Sequence, residues 1–460
     1  MQIPTIAEAS RAIAEGKLSP VALTEACLAR IEAAEPKLNA FIKLTAGTAR
    51  EAARAAEAKI KAGRRKGPLH GIPFAHKDIY GTAGITTTAH SRLLQDYVPQ
   101  ENAFTVQRLA DAGVVPFGKL ATHEFAWGGP SFDLPWPPAR NPWNTDHFPG
   151  GSSSGTGAAV AAGLVLGGTG SDTGGSIRLP ASFCGLAGIK PTYGLLSRHG
   201  IQPLAFTLDH AGPLAWTVED CAILLEAMAG HDPRDPASIA CEIPAYRDKL
   251  GSGVAGLRIG VLRHFYEKDI VAAPEVSAAM AESIRTFERL GAKVSDVTLP
   301  PLHDWAATGM LIMISEAYSV HEPWLKTRYN DYGELFRDRT VLGAFISSGD
   351  YLAAVRMRRE LRQALAFTMQ SVDLIILPTT PTPAPRMRDM TKYGSFEQPN
   401  LTIPFNVAGT PALSLCNGFS ASGLPLSLQI VGRPFQDATV LAAGHAIETA
   451  TDWRSRRPSL

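Results

Sequence analysis

Residues able to do chemistry crowd into one stretch of this chain, from Pro149 to Tyr193. Two Gly/Ser-dense segments stand there, Gly150-Gly151-Ser152-Ser153-Ser154-Gly155 and Ser171-Asp172-Thr173-Gly174-Gly175-Ser176, with an Ala-rich run between them. Glycines let a backbone approach a ligand closely and turn its amides inward, while serines at such places serve as helix caps or as nucleophiles. A phosphate cradle needs GxxxxGK[ST], and no lysine follows either segment. Gly155-Thr156-Gly157 opens like a dinucleotide fingerprint, but Val160 displaces the third small residue and loop rather than strand precedes it. Gly151 to Gly155 spells GxSxG around Ser153. A nucleophile elbow must follow a strand, however, and the prolines in Arg140–Pro149 bar an interior strand, so Ser153 is not read as such a serine.

The combined pattern is more specific than either loop. Gly150-Gly151-Ser152-Ser153, then Ser171 to Arg178, then Pro180-Ala181-Ser182-Phe183-Cys184-Gly185 and Gly188-Ile189-Lys190-Pro191-Thr192-Tyr193-Gly194 resemble the signature of the amidase signature family. His70-Gly71-Ile72-Pro73-Phe74 through Lys77-Asp78 looks like that family's lysine strand. Phe405-Asn406, Gly409 to Ala412 and Gly423 through Pro434 look like its C-terminal pattern, so the resemblance covers most of the chain. It implies a Ser–Ser–Lys triad: Ser176 as nucleophile, Ser152 as the bridging serine on a cis peptide, and Lys77 as base. The amides of Thr173, Gly174 and Gly175 form the implied oxyanion hole, and Ser153 matches an auxiliary hydroxyl. The run Ser152-Ser153-Ser154-Gly155-Thr156-Gly157 departs from the commoner Ser-Ser-Gly-Gly-Ser form without touching a triad position.

Physical chemistry supports these roles. A serine hydroxyl is a poor nucleophile until a neighbouring base takes its proton. Lysine serves as that base only when neutral, a state that burial favours, and Ile72, Phe74 and Ile79 are placed to desolvate Lys77. Asp172 and Arg178 read as structural partners holding the loop, with a substrate-carboxylate role for Arg178 as the sharper alternative.

Positioning such groups requires a layered scaffold. The first sixty residues read as helices, with Thr5 and Glu8 at capping-box spacing and Ser19-Pro20 opening the second helix. Strands are expected at 72–77, 114–117, 164–166, 256–262, 292–297, 374–377, 412–415 and 426–431. Helical periodicity appears at 102–112, 155–163, 217–229, 273–290, 303–320, 350–371 and 436–450. Strands alternating with helices predict an α/β protein: a single domain over 1–460 with a central mixed sheet covered by helices on both sides. Within it, 1–65 is an N-terminal helical segment, 66–215 the signature core and 216–460 the remainder; the family resemblance implies about ten strands.

Composition narrows the role. Lys and Arg total 44 against 43 Asp and Glu, a net charge of +1 with no like-charge block, so no nucleic-acid or membrane partner is expected. The N-terminus lacks the features of a signal peptide, and no apolar run approaches the ~20 residues of a bilayer span. Cys27, Cys184, Cys221, Cys241 and Cys416 are odd in number, scattered and without CxxC, as in a reduced, cytoplasmic protein. Among the 12 histidines no HExxH or comparable spacing occurs, so neither metal nor other cofactor is expected.

The expectation is therefore an amide-bond hydrolase, an acylamide amidohydrolase working through an acyl-enzyme on Ser176, with ester or carbamate side activity. It takes a small-molecule amide, and the resemblance implies a homodimer. The aromatic-rich segment Trp127–Trp143 hints at a bulky substrate, with Trp127, Phe132, Trp136, His210 and Met313 as candidate substrate contacts. The alternative, from another class, is the glutamine-hydrolysing component of a transfer-RNA-dependent amidotransferase. It shares the triad but needs partner subunits and glutamine as donor.

Overall fold

The chain condenses around one mixed sheet whose middle strands are buried on both faces, as the near-continuous apolar runs Leu374–Pro378 and Pro425–Val431 require. The computed structural model describes residues 3–459. Its 11 strands are β1 (Phe41–Leu44), β2 (Pro73–Lys77), β3 (Val115–Leu120), β4 (Gly167–Asp172), β5 (Ala187–Lys190), β6 (His210–Ala215), β7 (Arg258–Val261), β8 (Lys293–Asp296), β9 (Leu374–Pro378), β10 (Ala412–Phe419) and β11 (Pro425–Val431). They lie in the order β1-β3-β2-β4-β6-β5-β10-β11-β9-β7-β8. β2 runs parallel to both β3 and β4, and β7 parallel to β8 and β9; the pairings from β4 through β6, β5, β10 and β11 to β9 are antiparallel. Helices flank this sheet, and among the described residues none is long and apolar enough to cross a membrane.

Local signals act as physics demands. Thr5 and Glu8 close a reciprocal capping box, and Ser19 Oγ accepts from the amides of Val21 and Ala22 ahead of Pro20. The sheet has one strand more than expected, and one expected strand lies elsewhere. Residues 164–166 form a turn, and the strand that follows is the glycine-rich β4. Propensity disfavours glycine in a strand, but packing demands it here. A Cβ at Gly168 would come within 2.7 Å of Thr156 Cγ2, and one at Gly170 within 2.5 Å of Leu214 and 3.1 Å of Ser153 Oγ. The missing side chains let the helix Ser154–Ala161 press onto the sheet, bringing Ser153 beside β4. The short β1, β5 and β6 gave no alternation to read, being set by their neighbours rather than by their own sequence.

Candidate active site

Three elements deliver the expected catalytic groups to one place. β2 ends in Lys77, whose amide donates to Thr169 Oγ1 of β4 at 2.9 Å, fixing the register of the two strand ends. The turn before the helix Ser154–Ala161 carries Ser152 and Ser153, and the Gly151–Ser152 peptide is cis. The loop after β4 carries Thr173 to Ser176.

Lys77 is fully buried, with Nζ 2.7 Å from Ser152 Oγ, 2.8 Å from Ser171 Oγ and 3.0 Å from Ser153 Oγ. Burial drives its pKa well below the usual lysine range, against the opposing pull of the Asp172 and Asp209 carboxylates. A neutral amine has two hydrogens and one lone pair, so one of the three hydroxyls can donate into it. Ser153 Oγ is 2.6 Å from the Ser176 carbonyl, which takes its hydrogen, and the Ser153 amide donates to the same oxygen at 3.3 Å. That leaves Ser152 or Ser171 to hand Lys77 a proton. Ser153 thus touches the lysine and also ties down the backbone of Ser176. Ser171 was not singled out from sequence; its place in the same Ser-Asp-Thr-Gly-Gly-Ser run was the available signal.

The loop itself is held from within. Arg178 grips Asp172 through Nε and Nη2 at 3.0 and 2.9 Å, and its remaining donors go to Thr402 O, Gln429 Oε1 and Asn406 Oδ1. Burial pushes the Asp172 carboxyl up, but the Arg178 charge and hydrogen bonds outweigh it and hold the group well below the usual carboxylate range. With every donor committed, Arg178 has none to spare for a substrate. Asp172 Oδ1 also accepts the Gly175 amide at 2.8 Å. Among the described residues, the amides of Thr173, Gly174 and Ser176 find no acceptor.

A cavity of about 230 Å³ opens onto Ser152, Thr173, Gly174 and Ser176. No hydrogen bond joins the Ser152 and Ser176 hydroxyls among the described residues, although both open on this space. Trp127 and Met313 line it, as do Met310, Met390, Asn400 and Arg339, which sequence reasoning did not pick out. Arg339 is buried, with Nε donating to the Lys392 carbonyl at 2.8 Å and Nη2 to the same oxygen, while Nη1 has no partner. Burial lowers its pKa to about 10, so it stays cationic at neutral pH. Nothing local in the sequence separated Arg339 from the other arginines of 328–362.

Other candidate contacts lie away from this space. Phe132 is 65% exposed, and the Trp136 ring packs edge-on against His90. His210 lines a second, larger cavity of about 510 Å³ that shares Ala126, Thr173 and Leu204 with the first. His123, by contrast, lines the serine cavity: its amide donates to the Ser152 carbonyl at 3.1 Å, and its ring leaves no room for a Cβ at Gly151.

A family model described as Amidase matches residues 22–441. A protein of Geobacter metallireducens, named as the A subunit of glutamyl-tRNA(Gln) amidotransferase, is 40% identical, covering 99% of both chains. A chain solved in work on a vestigial protein complex and the origins of an s-triazine catabolic enzyme superposes with a TM-score of 0.92 at 35% identity, covering 99% of this chain and 100% of that one. The crystal structure of the corresponding glutamyl-tRNA(Gln) amidotransferase chain from Thermotoga maritima gives 0.81 at 35% identity, covering 97% and 95%.

These names correct two expectations. The free-standing acylamide hydrolase gives way to the amidotransferase alternative, and the expectation of no nucleic-acid partner falls with it. The reason is physical. The triad specifies the attack on an amide and is silent on whose amide it is. A near-neutral whole-chain charge does not describe the local surface that would meet a partner. In its sheet, its serine–lysine cluster and its likeness along nearly the whole length to hydrolases of carbon–nitrogen bonds, the chain belongs to the amidase signature family.

Proposed function

We propose that this chain is the glutamine-hydrolysing component of a transfer-RNA-dependent amidotransferase. The observation that carries the reading is Arg339, a buried guanidinium whose Nη1 has no partner, on a residue that lines the small cavity holding Ser176. Glutamine presents a side-chain amide and, a few bonds away, a carboxylate. A cavity of about 230 Å³ suits a ligand of that size, and a buried cation with a free N–H is the partner a carboxylate needs. Full-length relatives named as the A subunit of a glutamyl-tRNA(Gln) amidotransferase support the reading.

Neutral Lys77 takes a proton from Ser152, Ser152 takes one from Ser176, and the Ser176 Oγ attacks the amide carbon. The developing oxyanion meets the free amides of the Thr173–Ser176 loop. Collapse breaks the C–N bond as Ser152 returns a proton to the departing nitrogen, releasing ammonia and leaving a γ-glutamyl ester on Ser176. Water activated by the same relay then cleaves that ester to glutamate. The ammonia is consumed by the partner subunits on glutamyl-transfer RNA.

The test is ammonia release from glutamine, with the chain alone and with the other components of such a complex, followed by amide formation on charged transfer RNA. Glutamine-dependent release that stops in Ser176→Ala supports the reading. No release in either setting overturns it.

A further inference from the structure

One half-buried carboxylate beside the serine loop, Asp209, takes no part in the mechanism above. Asp209 accepts the Thr173 hydroxyl at 2.6 Å and the amides of Leu204 and Ala205 at 2.9 and 3.0 Å. Thr173 and Leu204 line both the serine cavity and the larger one, so this bridge forms the wall between them. The segment carrying Asp209 is fixed in turn. Thr207 donates through its amide and hydroxyl to Glu316 at 2.9 and 2.7 Å, and Arg358 Nη2 donates to the Thr207 carbonyl at 2.9 Å.

An oxyanion donor contributes only if it is aimed before the charge develops. Arg178 and Asp172 anchor the far half of the loop through the Gly175 and Ile177 amides. The near half, Thr173-Gly174, has two amides without an acceptor among the described residues. The side-chain tethers on that half are the Thr173 hydroxyl, which donates to Asp209, and Thr402 Oγ1, which donates to the Gly174 carbonyl at 2.6 Å. We infer that Asp209 is a positioning residue for the reaction: through Thr173 it holds the Thr173 and Gly174 amides toward the oxyanion formed at Ser176. The inference rests on the reading of Ser176 as nucleophile and of these amides as its donors.

Asp209 also has an electrostatic signature. Asp172 and Asp209 are the two carboxylates whose charge favours protonated Lys77, against burial. Removing the Asp209 charge while keeping its shape must move the base to a lower pKa, whereas breaking the tether at Thr173 must not.

Steady-state glutaminase kinetics on the assembled protein separate these effects. An asparagine at 209 offers one acceptor and two hydrogens where the carboxylate met three donors, so at least one bond is lost. Asp209→Asn is expected to lower kcat roughly 10- to 100-fold with KM within ~3-fold. That is less than the ~100- to 1,000-fold cost of deleting a donor outright. Thr173→Val should match it, and Thr173→Ser should remain within ~3-fold of wild type. The acid limb of kcat/KM should move to lower pH in Asp209→Asn and stay in place in Thr173→Val.

The inference is overturned if both variants keep kcat within ~3-fold of wild type, if KM rises with kcat intact, or if Thr173→Ser fails as Thr173→Val does. Should Asp209→Asn not fold, the Thr173 pair decides alone. A wild type inert on glutamine would sink the functional reading only. The same kcat pattern on any other amide that acylates Ser176 would still support Asp209.

Discussion

The Lys77 ammonium position and the Ser152 hydroxyl lie 2.7 Å apart, in a pocket from which water is excluded at the lysine. Burial favours the neutral amine, and in the proposed relay this contact gives it a hydroxyl to deprotonate. Lys77→Met keeps the bulk and removes the amine, so kcat should fall by ~100- to 10,000-fold, the usual share of a general base. Ser152→Ala should fall in the same range. Single-turnover ammonia release checks both, and a variant within ~3-fold of wild type would remove that residue from the relay.

The pH dependence follows from the sign of the lysine shift. In the proposed mechanism the active form is the neutral amine, and burial lowers the pKa, so that form appears at lower pH than for an exposed lysine. kcat/KM should therefore climb as pH rises through the Lys77 pKa and then level off. A profile flat from about pH 5 to 9 contradicts lysine as base.

Arg339→Met should raise KM for glutamine and lower kcat/KM by about 10- to 100-fold, the effect of losing a hydrogen bond to a charged group. A carboxylate-free primary amide such as butyramide should be hydrolysed equally by both forms. Equal losses on the two substrates would mean that Arg339 supports the cavity without reading the carboxylate.

Glu124 links this region to pH through stability. It is buried, accepts Ser91 Oγ at 2.6 Å and the Gly333 amide at 2.9 Å, and burial raises its pKa to about 8. The folded-state value lies above the unfolded one, so its contribution is full below about pH 4.5 and is lost as pH rises through about 8. Glu124→Gln can keep both contacts without a charge. Its melting temperature relative to wild type should therefore increase across that window when both are followed by calorimetry. A constant difference would contradict the assignment.

Much of this site was legible because Gly150 to Ser153, Ser171 to Arg178 and the segment ending in Lys77 resemble a family signature, which implied the triad. Close approaches at Gly150, Gly151 and Gly175 are the physical reason that glycine stands at those positions. β4 was misplaced because its glycines exist for contacts with Thr156 and Leu214, which sequence does not display. Arg339 and Asp209 were missed as functional groups for a related reason. Each matters through partners more than thirty residues away, Lys392 and Thr173. The substrate was the least legible part, since a triad encodes bond type and the proposed carboxylate partner, Arg339, lies on a helix of ordinary composition.

The most direct test of the central claim is rapid-quench mass spectrometry of the protein mixed with glutamine, with peptide mapping of any adduct. A γ-glutamyl group on Ser176 that forms and decays at the rate of ammonia release, and is absent from Ser176→Ala, is the predicted result. An adduct on another side chain, or undiminished ammonia release from Ser176→Ala, would contradict it.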